Sequence, residues 1–270
     1  MKELFIKLIP TILLAVLASP AFAQPASEMR RPLTSFPFNV GEALSYEGKI
    51  RKFALSATIG DLTFEVGDVS DDRRLQLKIE AKSRGTLISW FNYSFLQQIE
   101  TSADAKGLHA FGNTKHDVQK EKIRDSVSRF DYENRKVMWV ESNPKEPTDP
   151  PRTIASDLEG PTHDVVSAIY FMRTLPLSVG YTTGINVSDS GLVYKIPVRV
   201  VKRERQKTVL GNVWCFRVEP IVFGPGRFFE QEGRMEIWIT DDARRIPVRA
   251  QINAAVGKVD IRLKSTRNLK

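Results

Sequence analysis

The chain has a single cysteine, Cys215, among 270 residues. One thiol cannot form an intramolecular disulfide, whatever the redox compartment. Cys215 lies in Val213-Trp-Cys-Phe-Arg-Val218, an apolar strand pattern with nothing nearby to lower a thiol pKa. A buried, inert thiol is therefore expected, not a nucleophile. Histidine is almost as scarce, at three residues. A metal site needs His, Cys or carboxylates at ligating spacing, and His109 with His116 does not supply one. The acidic pairs Asp71-Asp72 and Asp241-Asp242 fall where strands would turn, and turn chemistry accounts for them.

Catalytic patterns are equally thin. Ser188-Asp-Ser190-Gly191 lacks the glycine on both sides that a nucleophile elbow requires. His163-Asp164 could pair as base and orienter, but a helix cap is the simpler account. Gly224-Pro-Gly226 includes a proline, which removes an amide that a phosphate-cradling loop would use. No catalytic residue, metal or cofactor is assigned, and an enzyme is not expected. No internal repeat or low-complexity tract is present.

Long apolar runs are missing too, apart from the first. Lys2 and Lys7 precede the run Leu8 to Leu17, and Ala21-Phe22-Ala23 fits a small-x-small cleavage site. Residues 1–23 read as a secretory signal peptide, because the run is short for a membrane span and is interrupted by Pro10. No later segment is long and apolar enough for a transmembrane helix. The expected location is the periplasm. The formal net charge is +8. In an exported protein that charge suits anionic lipid headgroups or glycans, and nucleic acid is not an expected partner. Most basic residues fall at outward strand positions, where they serve solubility.

What the sequence does contain is alternation. Met235, Ile237 and Ile239, then Ile246, Val248, Ala250, Ile252 and Ala254, then Val259, Ile261 and Leu263 occupy every second position in three runs. That spacing places them on one face of a pleated strand, and the short breaks between runs make an antiparallel meander. The N-terminal part repeats the pattern. Leu44 and Tyr46 share a face, as do Leu62, Phe64 and Val66, and Leu75, Leu77, Ile79 and Ala81. Gly60 suits a bulge or a close approach of backbones. Further strands are expected over Leu96 to Ser102, Gly107 to Val118, Lys122 to Tyr132, Lys136 to Val140, Leu192 to Val201 and Val213 to Val218. One or two helical turns are expected over Gly85 to Tyr93. The one convincing helix is Asp164 to Thr174, capped by Thr162 or Asp164 and ended by Pro176.

These readings give a mainly β fold: an antiparallel, strongly curved sheet or barrel of about a dozen strands, with one α-helix packed across an opening. Residues 24–37, rich in Pro and Ser, form a flexible leader. Residues 38–270 form a single β-rich domain, or two halves meeting near 142–161, where prolines cluster. Two aromatic groups interrupt the strands: Trp90, Phe91 and Tyr93, and Phe223, Phe228 and Phe229. At the same rim of a curved sheet they could line a mouth for an apolar or amphipathic ligand. Otherwise they plug the ends of the core.

Four motifs in order resemble the bacterial exported family catalogued as domain of unknown function 3108. They are Phe38-Asn-Val-Gly41-Glu42-Ala-Leu44-Ser-Tyr46, Phe130-Asp131 with the basic turn after it, and Asp164 to Arg173 followed by Leu175-Pro-Leu and Gly180. The fourth is Ile237-Trp238-Ile-Thr-Asp-Asp242 with Arg245-Ile-Pro247-Val. The resemblance spans about Phe38 to Leu263 and implies an exported, mostly β envelope protein with no established activity. The expected function is therefore a non-catalytic periplasmic envelope protein that binds a lipid-like or amphipathic ligand. An alternative is a scaffold that docks on another envelope protein through a strand edge or the proline-rich loop. An envelope glycan or ester hydrolase is the third reading.

Overall fold

The computed structural model describes residues 36–52, 55–70, 73–85, 94–225, 228–254 and 257–270. Along the chain run β1 (Ala43–Lys52), β2 (Leu55–Val69), β3 (Arg74–Ser83), β4 (Phe95–Asp104), β5 (Ala110–Gln119), β6 (Lys122–Asp131), β7 (Lys136–Ser142) and β8 (Arg152–Asp157). A two-residue strand β9 (His163–Asp164) leads into α1 (Val165–Thr174). Then follow β10 (Thr182–Asp189), β11 (Leu192–Thr208), β12 (Gly211–Pro220), β13 (Gly233–Thr240), β14 (Pro247–Ala254) and β15 (Gly257–Arg267).

The fifteen strands of the described residues form one sheet, in the order β8 back to β1, then β15 back to β9. The pairings are antiparallel except β9 with β10, which is parallel. The two chain halves join where β1 pairs with β15, with Tyr46 opposite Leu263 and Ile50 opposite Val259. The sheet is an open meander, strongly curved, whose ladder does not close: β8 and β9 are its two edges. Its ends nevertheless meet. The β10–β11 turn uses Ser190 at φ 49 and Gly191 at φ 79. Two successive left-handed residues make the tight hairpin turn that matches strand twist. A Cβ on Gly191 would lie 2.8 Å from the Ile154 carbonyl on β8 and 2.9 Å from the Trp139 Cβ on β7. The connection into β9 also bridges the gap, because the Ala110 amide of β5 donates to the Thr162 carbonyl at 2.9 Å.

The alternation read from the sequence is the pattern of burial. Leu75, Leu77, Ile79 and Ala81 of β3 are buried, and so are Met235, Ile237, Ile239, Ile252, Val259, Ile261 and Leu263. Burying each large aliphatic side chain stabilises the fold by roughly 1.5–3 kcal/mol. The β1–β2 register shifts opposite Gly60, and a Cβ there would collide with the Lys82 carbonyl, so bulge and close approach coincide.

Helix α1 covers the rim where β1, β13 and β14 turn. Asp164 is its N-cap: the Ser167 amide donates to Asp164 Oδ1 at 2.8 Å, and the Asp164 amide donates back to Ser167 Oγ at 3.0 Å. Arg173, in the last turn, is 1 % exposed. Its guanidinium donates to Glu42 Oε1 at 2.5 Å and Oε2 at 3.0 Å, and to the carbonyls of Pro37, Arg244 and Arg245. The ion pair thus fastens the helix to the entry of β1 and the β13–β14 turn. Removing one partner of such a buried pair typically costs about 3–5 kcal/mol.

The structure departs from the sequence reading in several places. The described residues hold fifteen strands, against about a dozen expected. β8 and β10 were not expected, and β11 runs on to Thr208, past the expected end at Val201. The extension, Lys202-Arg-Glu-Arg-Gln-Lys207, has no apolar face and so gives no periodic signal. Phe36, placed in the leader by the sequence reading, is buried and stacks on Phe38 with centroids 5.1 Å apart. The sheet continues across the proline-rich connection, where β7 pairs with β8. The turn expected at Asp71-Asp72 and the helical turns expected before Tyr93 lie outside the described residues.

Candidate functional site

The inward face of the sheet changes chemistry around its circumference. On β1–β3 and β12–β15 the inward residues are apolar, and with α1 they make the main core. Registers carry the inward row of β4, namely Phe95, Gln97, Ile99 and Thr101, onto Gln119, Asp117, Lys115 and Asn113 of β5. From there it passes to Lys122, Arg124, Ser126 and Ser128 of β6, and the last two face Glu141 and Trp139 of β7. Gln97, Thr101, Asp117, Ser126 and Ser128 are buried polar residues. The β5–β8 segment has only a small apolar cluster of its own: Ala110, Phe130, Val137 and Leu158. One wall of the concave face is therefore polar and the opposite wall apolar.

A belt of hydrogen bonds crosses this polar wall at the helix N-terminus. The buried Asp164 carboxylate accepts from the Thr101 hydroxyl, from Asn113 Nδ2 at 2.9 Å and from the Ser167 amide. Burial raises the Asp164 pKa, and those hydrogen bonds oppose the rise. Beside it lies a small, partly open cavity of about 20 Å³, bounded by Lys115, Ser126, Ser128, Trp139, Asp164 and Ser188 among others. That is room for one water with several polar partners. Further along the wall, Gln97 is 2 % exposed and its Oε1 has no hydrogen-bond partner among the described residues. A buried acceptor left unpaired costs about 1–3 kcal/mol.

His163 does not act on Asp164. Its Nδ1 donates to the Leu108 carbonyl at 2.9 Å, and its ring stacks on Phe171 with centroids 4.3 Å apart. Burial pushes its pKa down to about 4, so it is neutral at physiological pH. Cys215 is buried, and burial beside Asp242, Asp241 and Glu204 pushes its thiol up to about 12. His116 pairs with Asp125 at 2.6 Å on the outer face. No group of three His, Cys, Asp or Glu residues able to hold a metal occurs among the described residues.

Of the six aromatics singled out by sequence, three can be placed. Phe223 and Phe229 are buried and stacked, with centroids 4.8 Å apart. Phe228 is partly buried and sits between Phe229 and Tyr194, at 5.2 and 5.4 Å. A Cβ on Gly233 would enter the Phe223 ring, so the start of β13 is fitted to this cluster. Trp90, Phe91 and Tyr93 lie outside the described residues. The flanking strands settle one point: β3 ends and β4 begins at the same rim as β12 ends and β13 begins. The polar wall was missed from sequence because Asn113, Lys115, Asp117 and Gln119 alternate with Thr114 and His116, which are also polar. The signal that could have found it is a strand with no dry face inside an otherwise alternating meander.

The fold and this two-sided concavity define a β-barrel-like protein: an open, curved antiparallel sheet with a helix across one end. The chain belongs to the DUF3108 family, described as a protein of unknown function, whose model matches residues 45–264. No curated protein matches it. Among solved structures it is similar to a "beta-barrel-like protein of domain of unknown function DUF1849" from Brucella abortus. That similarity has a TM-score of 0.58 at 13% identity and covers 86% of this chain and 98% of that one. A "putative lipoprotein" from Parabacteroides distasonis matches with TM-score 0.33 at 10% identity, over 86% of this chain and 97% of its own. A "putative exported protein" from Bacteroides fragilis matches with TM-score 0.31 at 9% identity, over 86% and 98%. No helix among the described residues is long and apolar enough to cross a membrane.

Proposed function

We propose that this chain is a non-catalytic periplasmic envelope protein that binds an amphipathic, lipid-like molecule on the concave face of its sheet. The observation that carries the reading is the inward polar wall facing an apolar one. Inward Lys115, Asp117 and Gln119, and a Gln97 Oε1 without a hydrogen-bond partner among the described residues, gain nothing for a core that could have been apolar throughout. Side by side, the two walls match a molecule with a greasy body and a polar head. The aromatic connection holding Phe223, Phe228 and Phe229 leaves the sheet at the rim shared by the β3–β4 connection, which carries Trp90, Phe91 and Tyr93. Both would border the entrance. The signal-like start, Lys2 to Ala23, supports export to the periplasm.

Native mass spectrometry of gently purified protein is expected to show a bound lipid, and a fluorescent fatty-acid analogue is expected to bind. Replacing Lys115 by Gln should weaken an anionic analogue about tenfold, the size of one charge-assisted contact. Absence of both bound lipid and dye binding would overturn the proposal. A scaffold role has one observation of its own, the terminal strand β8, whose outer edge has no ladder partner among the described residues. Crosslinking in intact cells that yields one dominant protein partner through β8 would favour it.

A further inference from the structure

The outer face of the sheet holds a second, separate feature. A bulge between Val200 and Lys202 bends the β11–β12 hairpin, and its far half folds back over the outside of β13 to β15 and β1. Three contacts hold this arm down. Trp238 Nε1, on the outer side of β13, donates to Glu204 Oε1 at 2.8 Å. Arg203 Nε donates to Asp241 Oδ2 at 2.6 Å, and the Asp241 amide donates to the Trp214 carbonyl at 2.8 Å. Between arm and sheet lies a groove of about 410 Å³.

The groove is strongly cationic. Lys49 and Arg51 come from β1, Arg249 from β14, Arg262 and Lys264 from β15, and Lys207 from the arm. Against these six stand two carboxylates, Glu47 and Asp260. Each carboxylate is already shared. Glu47 lies 3.1 Å from Lys49, 2.8 Å from Arg84 and 3.4 Å from Lys264, and Asp260 lies 2.6 Å from Arg249 and 2.8 Å from Arg262. Arg51 and Lys207, both exposed, have no ion-pair partner among the described residues. Cations from four strands thus converge on one hollow with net positive charge left over. Like charges this close repel unless an anion sits among them. A solvated face would spread them along the strands, as Lys78 and Glu100 are spread in neutral pairs elsewhere.

We propose that this groove is a binding site for a phosphate-bearing anion. Several arginines offer paired donors matched to phosphate oxygens, and the lysines add point charge. The phosphate could belong to a phospholipid headgroup, which would seat the outer face of the sheet on a membrane, or to a free phosphate compound. The site is distinct from the concave face and does not depend on it.

The test uses two probes on the purified full chain: co-sedimentation with vesicles of phosphatidylglycerol and phosphatidylcholine, and calorimetric titration with inorganic pyrophosphate. Arg51→Gln with Lys207→Gln should weaken binding at least about tenfold, since two charge-assisted contacts are lost. Arg129→Gln with Lys136→Gln, which removes the same charge from the outer face of β6 and β7, should change it less than about twofold, as screened distant charge does. Binding of vesicles alone identifies a headgroup as the source, and binding of pyrophosphate identifies a soluble phosphate. Lys207→Glu, at an exposed unpaired position, is a second variant judged by the same criterion should the double variant fail to fold. Absence of binding by both probes, or equal losses in the groove and control variants, would overturn the proposal.

Discussion

At the scale of single residues, the chain invests in buried polar groups that the sequence shows only as isolated letters. His163 is the clearest case for a measurable consequence. Its folded pKa is held near 4 by burial, against an ordinary value of 6.5. The sign follows from linkage: a group with a depressed folded pKa contributes stability above its unfolded pKa and loses it as pH falls toward the folded value. Stability should therefore drop between pH 6.5 and about 4, by up to about 3 kcal/mol from this residue. His163→Gln is expected to flatten that part of the profile of urea midpoint against pH, relative to the parent chain. An unchanged slope would place the acid sensitivity elsewhere. The pairing of Arg173 with Glu42 shows why such groups escape sequence reading. Their positions differ by 131 residues, and each alone resembles an ordinary surface charge.

Elements were legible in proportion to their apolar alternation. Strands β1 to β3 and β13 to β15 were readable because one face is dry, and α1 because Val165, Val166, Ile169, Tyr170 and Met172 keep helical spacing behind a capping aspartate. β5 was located without its inward chemistry, since both faces are polar. The far half of β11, Lys202 to Lys207, was unreadable because neither of its own faces is apolar, although it pairs with Val213 to Phe216 of β12. The seam between the two ends of the sheet depends on the β10–β11 turn, and there glycine matters twice. Gly191→Ala would place a Cβ at φ 79 and drive it into Ile154 and Trp139. Gly211→Ala, at φ 92 in the β11–β12 turn, meets nothing within 4 Å and carries the backbone strain alone. A left-handed non-glycine residue costs about 1–3 kcal/mol. Gly191→Ala is expected to exceed Gly211→Ala in urea denaturation and to lower hydrogen-exchange protection in Arg152–Asp157. Equal losses with unchanged β8 protection would mean that the seam is loose.

For the whole molecule, the two walls of the concave face imply uneven stability. The main core draws on β1 to β4, α1 and β10 to β15, whereas β5 to β8 rest on a small cluster around Phe130 and Val137. β5 to β8 also end at an edge that is unpaired among the described residues, and β8 itself buries no side chain. Local opening follows such gradients. In native-state hydrogen exchange, amides of β6 to β8 are expected to exchange through openings of lower free energy than those of β1, β2, β14 and β15, which should track global unfolding. Uniform protection across the sheet would show that the contact of Gly191 with Ile154 and Trp139 makes the structure one cooperative unit. The same gradient bears on function. A molecule seated between the polar and apolar walls would add its contacts where the protein's own are thinnest. Saturating lipid analogue should therefore slow exchange in β5 to β8 more than in β14 and β15, whereas phosphate bound in the outer groove should leave β5 to β8 unchanged.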